Sequence, residues 1–109
     1  MKLSRLMSLV LIPIILVSGC VQQETSEIEK VKQVCVKACE DAMKAGRDLS
    51  SGPCLLNPMQ DYPDWVCDVA HEPRQTVDNS AENQCSAFRE GGATHFVEVT
   101  PNCKFIQSY

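Results

Sequence analysis

No Cys-x-x-Cys pair occurs in this chain, although it carries seven cysteines. Zinc ribbons and thioredoxin-like redox sites rely on that spacing, so neither is expected. The 10 lysines and arginines occur singly, never as a run, and the formal charge is −4. Nucleic-acid binding needs a clustered positive surface, which excludes a nucleic-acid partner. A glycine-rich phosphate loop, a Gly-x-Ser-x-Gly elbow and a His-Glu-x-x-His helix are all missing; after His71-Glu72 the position of a second histidine is Gln75. A hydrolase built on His71 with Asp68 or Glu72 therefore has no motif behind it. There is no internal repeat and no low-complexity segment, and aromatic residues make up only 6% of the chain. These absences favour a binding or structural role over catalysis, with no cofactor.

One apolar stretch stands apart. Lys2 and Arg5 precede 12 residues, Leu6 to Val17, broken only by Ser8 and Pro13. That is the layout of a secretory signal, and it is short for a membrane span. It closes on Leu16-Val17-Ser18-Gly19-Cys20, which resembles the lipobox of bacterial and archaeal lipoproteins. The resemblance implies a signal peptide over 1–19, lipid on Cys20, and a short tether to residue 25. It places the protein at the cell membrane, lipid-anchored on the extracytoplasmic face. A cysteine suits the role because its thiolate is the nucleophile that is alkylated. Two acyl chains anchor firmly where one is marginal. A plain secretory signal or an uncleaved anchor are the other readings of the same residues.

The chain from Cys20 to Tyr109 has 90 residues, enough for one small domain over 26–109. Setting aside Lys2 and Arg5 leaves eight basic residues against 14 acidic ones, a formal charge of −6. Attraction to anionic lipid is therefore weak, and the lipid on Cys20 must do the anchoring. Six cysteines remain: Cys35, Cys39, Cys54, Cys67, Cys85 and Cys103. An even count in a short exported chain reads as a disulfide framework. Cys35-x-x-x-Cys39 is the only close pair, and its spacing is wrong for a thiol oxidoreductase. Six cysteines allow 15 pairings; excluding the three that join Cys35 to Cys39 leaves 12. Turns at Gly46 and Gly52-Pro53 favour Cys39 with Cys54.

Ser26 with Glu29 has the form of a capping box, and Ile28, Val31, Cys35, Ala38, Cys39 and Ala42 follow at helical spacing. Gly46 can end such a helix, which spans 26 to 45. Residues 47 to 64 are loop-like. Asp64 to Ala70 and Thr94 to Thr100 alternate as strands, Ala81 to Arg89 suggests a short helix, and Lys104 to Gln107 an edge strand. The expected architecture is α+β: one long N-terminal amphipathic helix packed on a short antiparallel sheet, stapled by disulfides. A loop-rich, irregular fold would also fit.

The stretch Trp65 to Gln75, with Val77-Asp78-Asn79, Glu82-Asn83-Gln84-Cys85 and His95-Phe96-Val97-Glu98-Val99, resembles an uncharacterised group of small exported, mostly archaeal, cysteine-rich proteins. The resemblance covers roughly residues 35 to 103 and implies no activity.

If the two strands pair antiparallel, one register sets His71 beside His95 and Asp68 opposite Glu98. Opposed carboxylates repel, so the pair would want a cation, a proton or an arginine, with Arg74 and Arg89 at hand. Asp68, His71, His95 and Glu98 are thus the candidate site for a small polar ligand or a metal, of unknown identity. The plainer alternative has His71 capping a turn, His95 at a strand end and the acids in solvent. Trp65, Tyr62 and Tyr109 form either a binding surface or, for Trp65, core. Asp78, Asn79, Ser80, Glu82 and Asn83 match no EF-hand spacing, and hydrogen-bonded turns explain them better than calcium. The leading expectation is a lipid-anchored domain with a binding or structural role at the envelope, facing another envelope protein or an extracellular ligand. The alternative is a small-ligand or metal-binding lipoprotein.

Overall fold

The computed structural model describes residues 26–109; the signal segment 1–19, Cys20 and the tether lie outside the described residues. Helix α1 spans Glu27–Lys44. Ser26 starts it, its hydroxyl accepting from the Glu29 N–H at 3.3 Å. Glu27 and Glu29 in the first turn and Lys44 in the last complement the helix dipole. Val31, Cys35 and Cys39 recur every fourth residue and are buried along one face. The helix begins well inside the chain, not at its N-terminus.

Four strands follow: β1 Cys54–Leu56, β2 Trp65–Val69, β3 His95–Val99 and β4 Phe105–Ser108, laid side by side in that order. The outer pairs are antiparallel, but the central pair, β2 with β3, is parallel. This corrects the antiparallel sheet expected from the sequence. Residues 70–94 join the two strands, and a connection that long has room for the crossover a parallel pair requires. It carries two 3-10 turns, Thr76–Asn79 and Ala81–Asn83, and a short helix α2, Ser86–Arg89. The single helix anticipated over 81–89 is thus interrupted at Gln84-Cys85.

The crossover covers one face of the sheet and α1 the other. Trp65, Cys67 and Val69 of β2 and Val97 and Val99 of β3 pack against the α1 face. Val66 and Phe96 point the opposite way, to Cys85, Ala93 and Phe88. A strand covered on both faces is apolar almost throughout. In β2 every residue but Asp68 is buried.

Three disulfides fasten these layers. Cys35–Cys67 and Cys39–Cys103 tie α1 to β2 and to the turn after β3, while Cys54–Cys85 ties edge strand β1 to the crossover. Cys39 is therefore not joined to Cys54. Cys39 faces the α1 side of the sheet, and Cys54 packs with the crossover residues on the other. The closed loops span 32, 64 and 31 residues. Loop entropy alone gives such bridges roughly 4 kcal/mol each.

Gly52 stands where the chain turns into β1. Its φ is +71°, and a Cβ there would run into the Asp78 carboxylate and lie 3.0 Å from the Val69 carbonyl oxygen. Neither neighbour is free to retreat, since Asp78 is buried and Val69 is in β2.

Non-reducing peptide mapping should return the pairs 35–67, 39–103 and 54–85 and no free thiol among them. Replacing Cys39 and Cys103 together by serine should lower the unfolding free energy by about 3–4 kcal/mol in a denaturant titration. Gly52→Ala should cost at least about 2 kcal/mol in the same titration, with all three bridges intact.

Candidate functional site

The parallel register pairs Trp65 with His95, Cys67 with Val97 and Asp68 with Glu98. Asp68–Glu98 is the one pair common to this register and the antiparallel one expected from the sequence. The carboxylates do meet, but the histidines do not. His95 opens β3 beside Trp65, whereas His71 lies beyond the far end of β2. Six residues of extended chain separate these two levels by about 20 Å.

Each histidine has local work. His71 Nδ1 lies 2.9 Å from Asp78 Oδ1, and the backbone N–H groups of His71 and Gln75 donate to Asp78 Oδ2 at 3.0 and 2.9 Å. Burial opposes the charge on Asp78, but these hydrogen bonds outweigh it and hold its carboxyl below the usual range. His95 donates from Nδ1 to the Tyr109 carbonyl oxygen at 2.9 Å and stacks on Trp65 with ring centres 4.6 Å apart. Trp65 is core, as its 5% exposure shows, so it forms no binding surface with Tyr62.

Asp68 and Glu98 sit on the crossover face, in the wall of a cleft of about 360 Å³ between the sheet and α2. That volume falls within the range of small-molecule sites. Val66, Phe88 and Phe96 supply its apolar side. The two phenylalanine rings meet edge to face, 5.1 Å between centres. Arg74 and Arg89 supply positive charge, and Gln84 and Gln107 supply amides.

Glu98 is nearly inaccessible and fully engaged. Arg74 Nη1 donates to its Oε2 at 3.0 Å and Gln107 Nε2 to its Oε1 at 2.6 Å. Arg74 is engaged as well, donating from Nε to Asn79 Oδ1 and from Nη2 to the Asp78 carbonyl oxygen. Asp68 differs. Its Oδ1 is sealed from solvent and has no hydrogen-bond partner among the described residues. Burial first, and then the charge of Glu98, push its carboxyl up to about 8, against the opposing pull of Arg74. The Asp68 carboxyl therefore keeps its proton well above the usual carboxylate range.

Polar residues of the 75–83 loop are held in hydrogen bonds. Asp78 is committed to His71 and Gln75, Asn79 accepts from Arg74, and Asn83 donates to the Val77 carbonyl oxygen. Among the described residues, no three His, Cys, Asp or Glu side chains come together as a metal site.

The sequence set Asp68 opposite Glu98 through an assumed antiparallel register, with Arg74 and Arg89 at hand, and the parallel register keeps that pair. Phe88, Phe96, Gln84 and Gln107 were not, because their place in the cleft depends on a crossover that a parallel pairing alone creates. No protein-family model matches this chain, and no curated protein or solved structure matches it.

Asp68 gives a pH-dependent stability with a definite sign. An acid whose pKa rises on folding keeps its proton where the unfolded chain has lost it. Its penalty is absent below pH about 4, grows as the pH rises to about 8, and is constant above. Asp68→Asn should therefore match the parent protein in urea unfolding at pH 4 and exceed it by on the order of 2 kcal/mol at pH 8. Equal stability of the two proteins at pH 8 would contradict the desolvated carboxyl.

Proposed function

We propose that this protein is a lipid-anchored extracytoplasmic binding protein whose site is the cleft at Asp68 and Glu98. The observation that carries the reading is the Asp68 carboxyl. A half-buried acid with one sealed and unsatisfied oxygen destabilises the free domain, and an apolar residue there would not. Such a group in the wall of a cleft beside two phenylalanines serves something other than the fold. A ligand that donates to it would relieve the penalty.

Catalysis is the weaker reading. Paired carboxylates act as acid and base when both are free to exchange protons, and both oxygens of Glu98 are held. The only sulfur in the cleft wall is Cys85, bridged to Cys54. A broad protein-docking face is also the weaker reading. The large exposed apolar side chains among the described residues are Ile28 and Met43, near opposite ends of α1, and Tyr109 at the end of β4.

Anchoring is supported by the lipobox-like residues ending at Cys20 and by a three-bridge framework suited to an oxidising compartment. Five extended residues between Cys20 and Ser26 reach about 16 Å, which would hold α1 near the membrane surface. The described residues contain no helix long and apolar enough to cross a membrane.

In cells fed a labelled fatty acid, the full chain should take up label and sediment with membranes, while Cys20→Ser should lose the label. Label retained by Cys20→Ser would remove the anchor from the reading. A fragment screen by amide chemical shifts tests the cleft: hits should move the signals of Val66, Asp68 and Phe96 and vanish in Phe96→Ala. Hits scattered over the surface would count against it.

A further inference from the structure

We infer that the cleft takes a primary amine carried on a small apolar body, the ammonium group donating to the Asp68 carboxylate and the body lying against Phe88 and Phe96. This rests on the cleft being the binding site.

Both Glu98 oxygens accept protein donors, and the three Arg74 nitrogens donate to Glu98, Asn79 and the Asp78 backbone. Gln107 donates its amide N–H to Glu98, and Gln84 donates to the Asp78 carbonyl oxygen at 3.5 Å. What the cleft wall lacks is a donor for Asp68, whose Oδ1 is the buried side-chain oxygen without a hydrogen-bond partner among the described residues. Asp68 is half-buried in the cleft wall, so a donor in the cleft meets its carboxyl group. An unpartnered acceptor beside an apolar wall calls for a ligand with donors at one end and little polarity at the other. An ammonium group has three donors and no acceptor.

Charge selects in the same direction. Glu98 and Arg74 form an ion pair, which leaves Asp68 as the sheet acid without an ion-pair partner among the described residues. The charged groups around it are Glu98 on β3, Arg74 and Asp78 on the crossover, and Arg89 on α2. Arg89 is exposed, so solvent screens it. An anion entering the cleft would meet the Asp68–Glu98 pair and an Arg74 already ion-paired to Glu98. A metal ion would find too few ligands, since Asp78 is held by His71 and Gln75.

Binding then moves a proton. Below pH about 8 the free domain holds Asp68 as the neutral acid, the amine arrives as the ammonium ion, and the complex is a carboxylate–ammonium pair with the acid's proton released to solvent. Affinity must rise with pH until Asp68 is ionised in the free domain. Between pH 6 and pH 8 the gain should be tenfold or more, given an acid that titrates near 8.

The test uses the full chain in a non-ionic detergent and three ligands of one shape: 2-phenylethylamine, 2-phenylethanol and 3-phenylpropionate. Amide shifts of Val66, Asp68 and Phe96 report occupancy of the cleft. The amine should bind at least tenfold more tightly than the alcohol at pH 8. It should weaken at least tenfold at pH 6 and lose at least tenfold in Asp68→Asn, a variant expected to fold more stably than its parent. Tighter binding of the alcohol or the propionate at the same residues would overturn the amine while leaving the cleft as the site. Amine binding that Asp68→Asn leaves unchanged would likewise overturn it. If none of the three ligands moves these signals, the cleft reading fails with it.

Discussion

The parallel pairing of β2 and β3 is the constraint on which the rest of the domain depends. Parallel neighbours cannot be joined by a tight turn, so the chain must leave the sheet, travel back and return. Here that return path is the segment 70–94, and it becomes the second covering layer. With α1 on one face and the crossover on the other, β2 is shut in on both sides. This is why Val66 is as buried as Cys67, although the two side chains point in opposite directions. A small domain gains two thin cores in place of one. Each is closed covalently, by Cys35–Cys67 and Cys39–Cys103 on the helix side and by Cys54–Cys85 on the crossover side.

Enclosure on both faces also explains the electrostatics. In a sheet with one wet face, the even-numbered residues of β2 would meet water, and an aspartate among them would titrate near its ordinary value. Under the crossover, Asp68 is desolvated beside Glu98. Arg74 can compensate only one of the two acids, because its planar fork is fixed by Asn79, Asp78 and Glu98 together. The cleft is therefore asymmetric: Glu98 is clamped by two side-chain donors, and Asp68 keeps one oxygen without a partner among the described residues.

The sequence carried the local parts of this arrangement well. Ser26 and Glu29 marked the start of α1, alternation marked β2 and β3, and the even cysteine count marked three bridges. What failed was orientation. Alternation says which residues share a face, but it is the same whichever way the neighbouring strand runs. Reversing one strand moves every pair except one, so Asp68–Glu98 survived while His71–His95 did not. The sign was present in the 25 residues between Val69 and His95, too many for a hairpin and enough for a crossover. The pairing of Cys39 failed for the same reason. Turn signals near Gly46 and Gly52 describe where the chain bends, not which face of a sheet it will reach.

Two cores separated by a single sheet have a consequence for how such a protein can diverge. The side chains that hold α1 in place, Val31, Cys35, Cys39, Val69, Val97 and Val99, are distinct from those that shape the cleft. Alternation along β2 and β3 interleaves the two sets residue by residue while keeping them on opposite faces. Lineages descended from one ancestor could therefore exchange Val66, Phe88, Phe96 and Gln107 in search of new ligands without disturbing the helix side, where the fold has its inheritance.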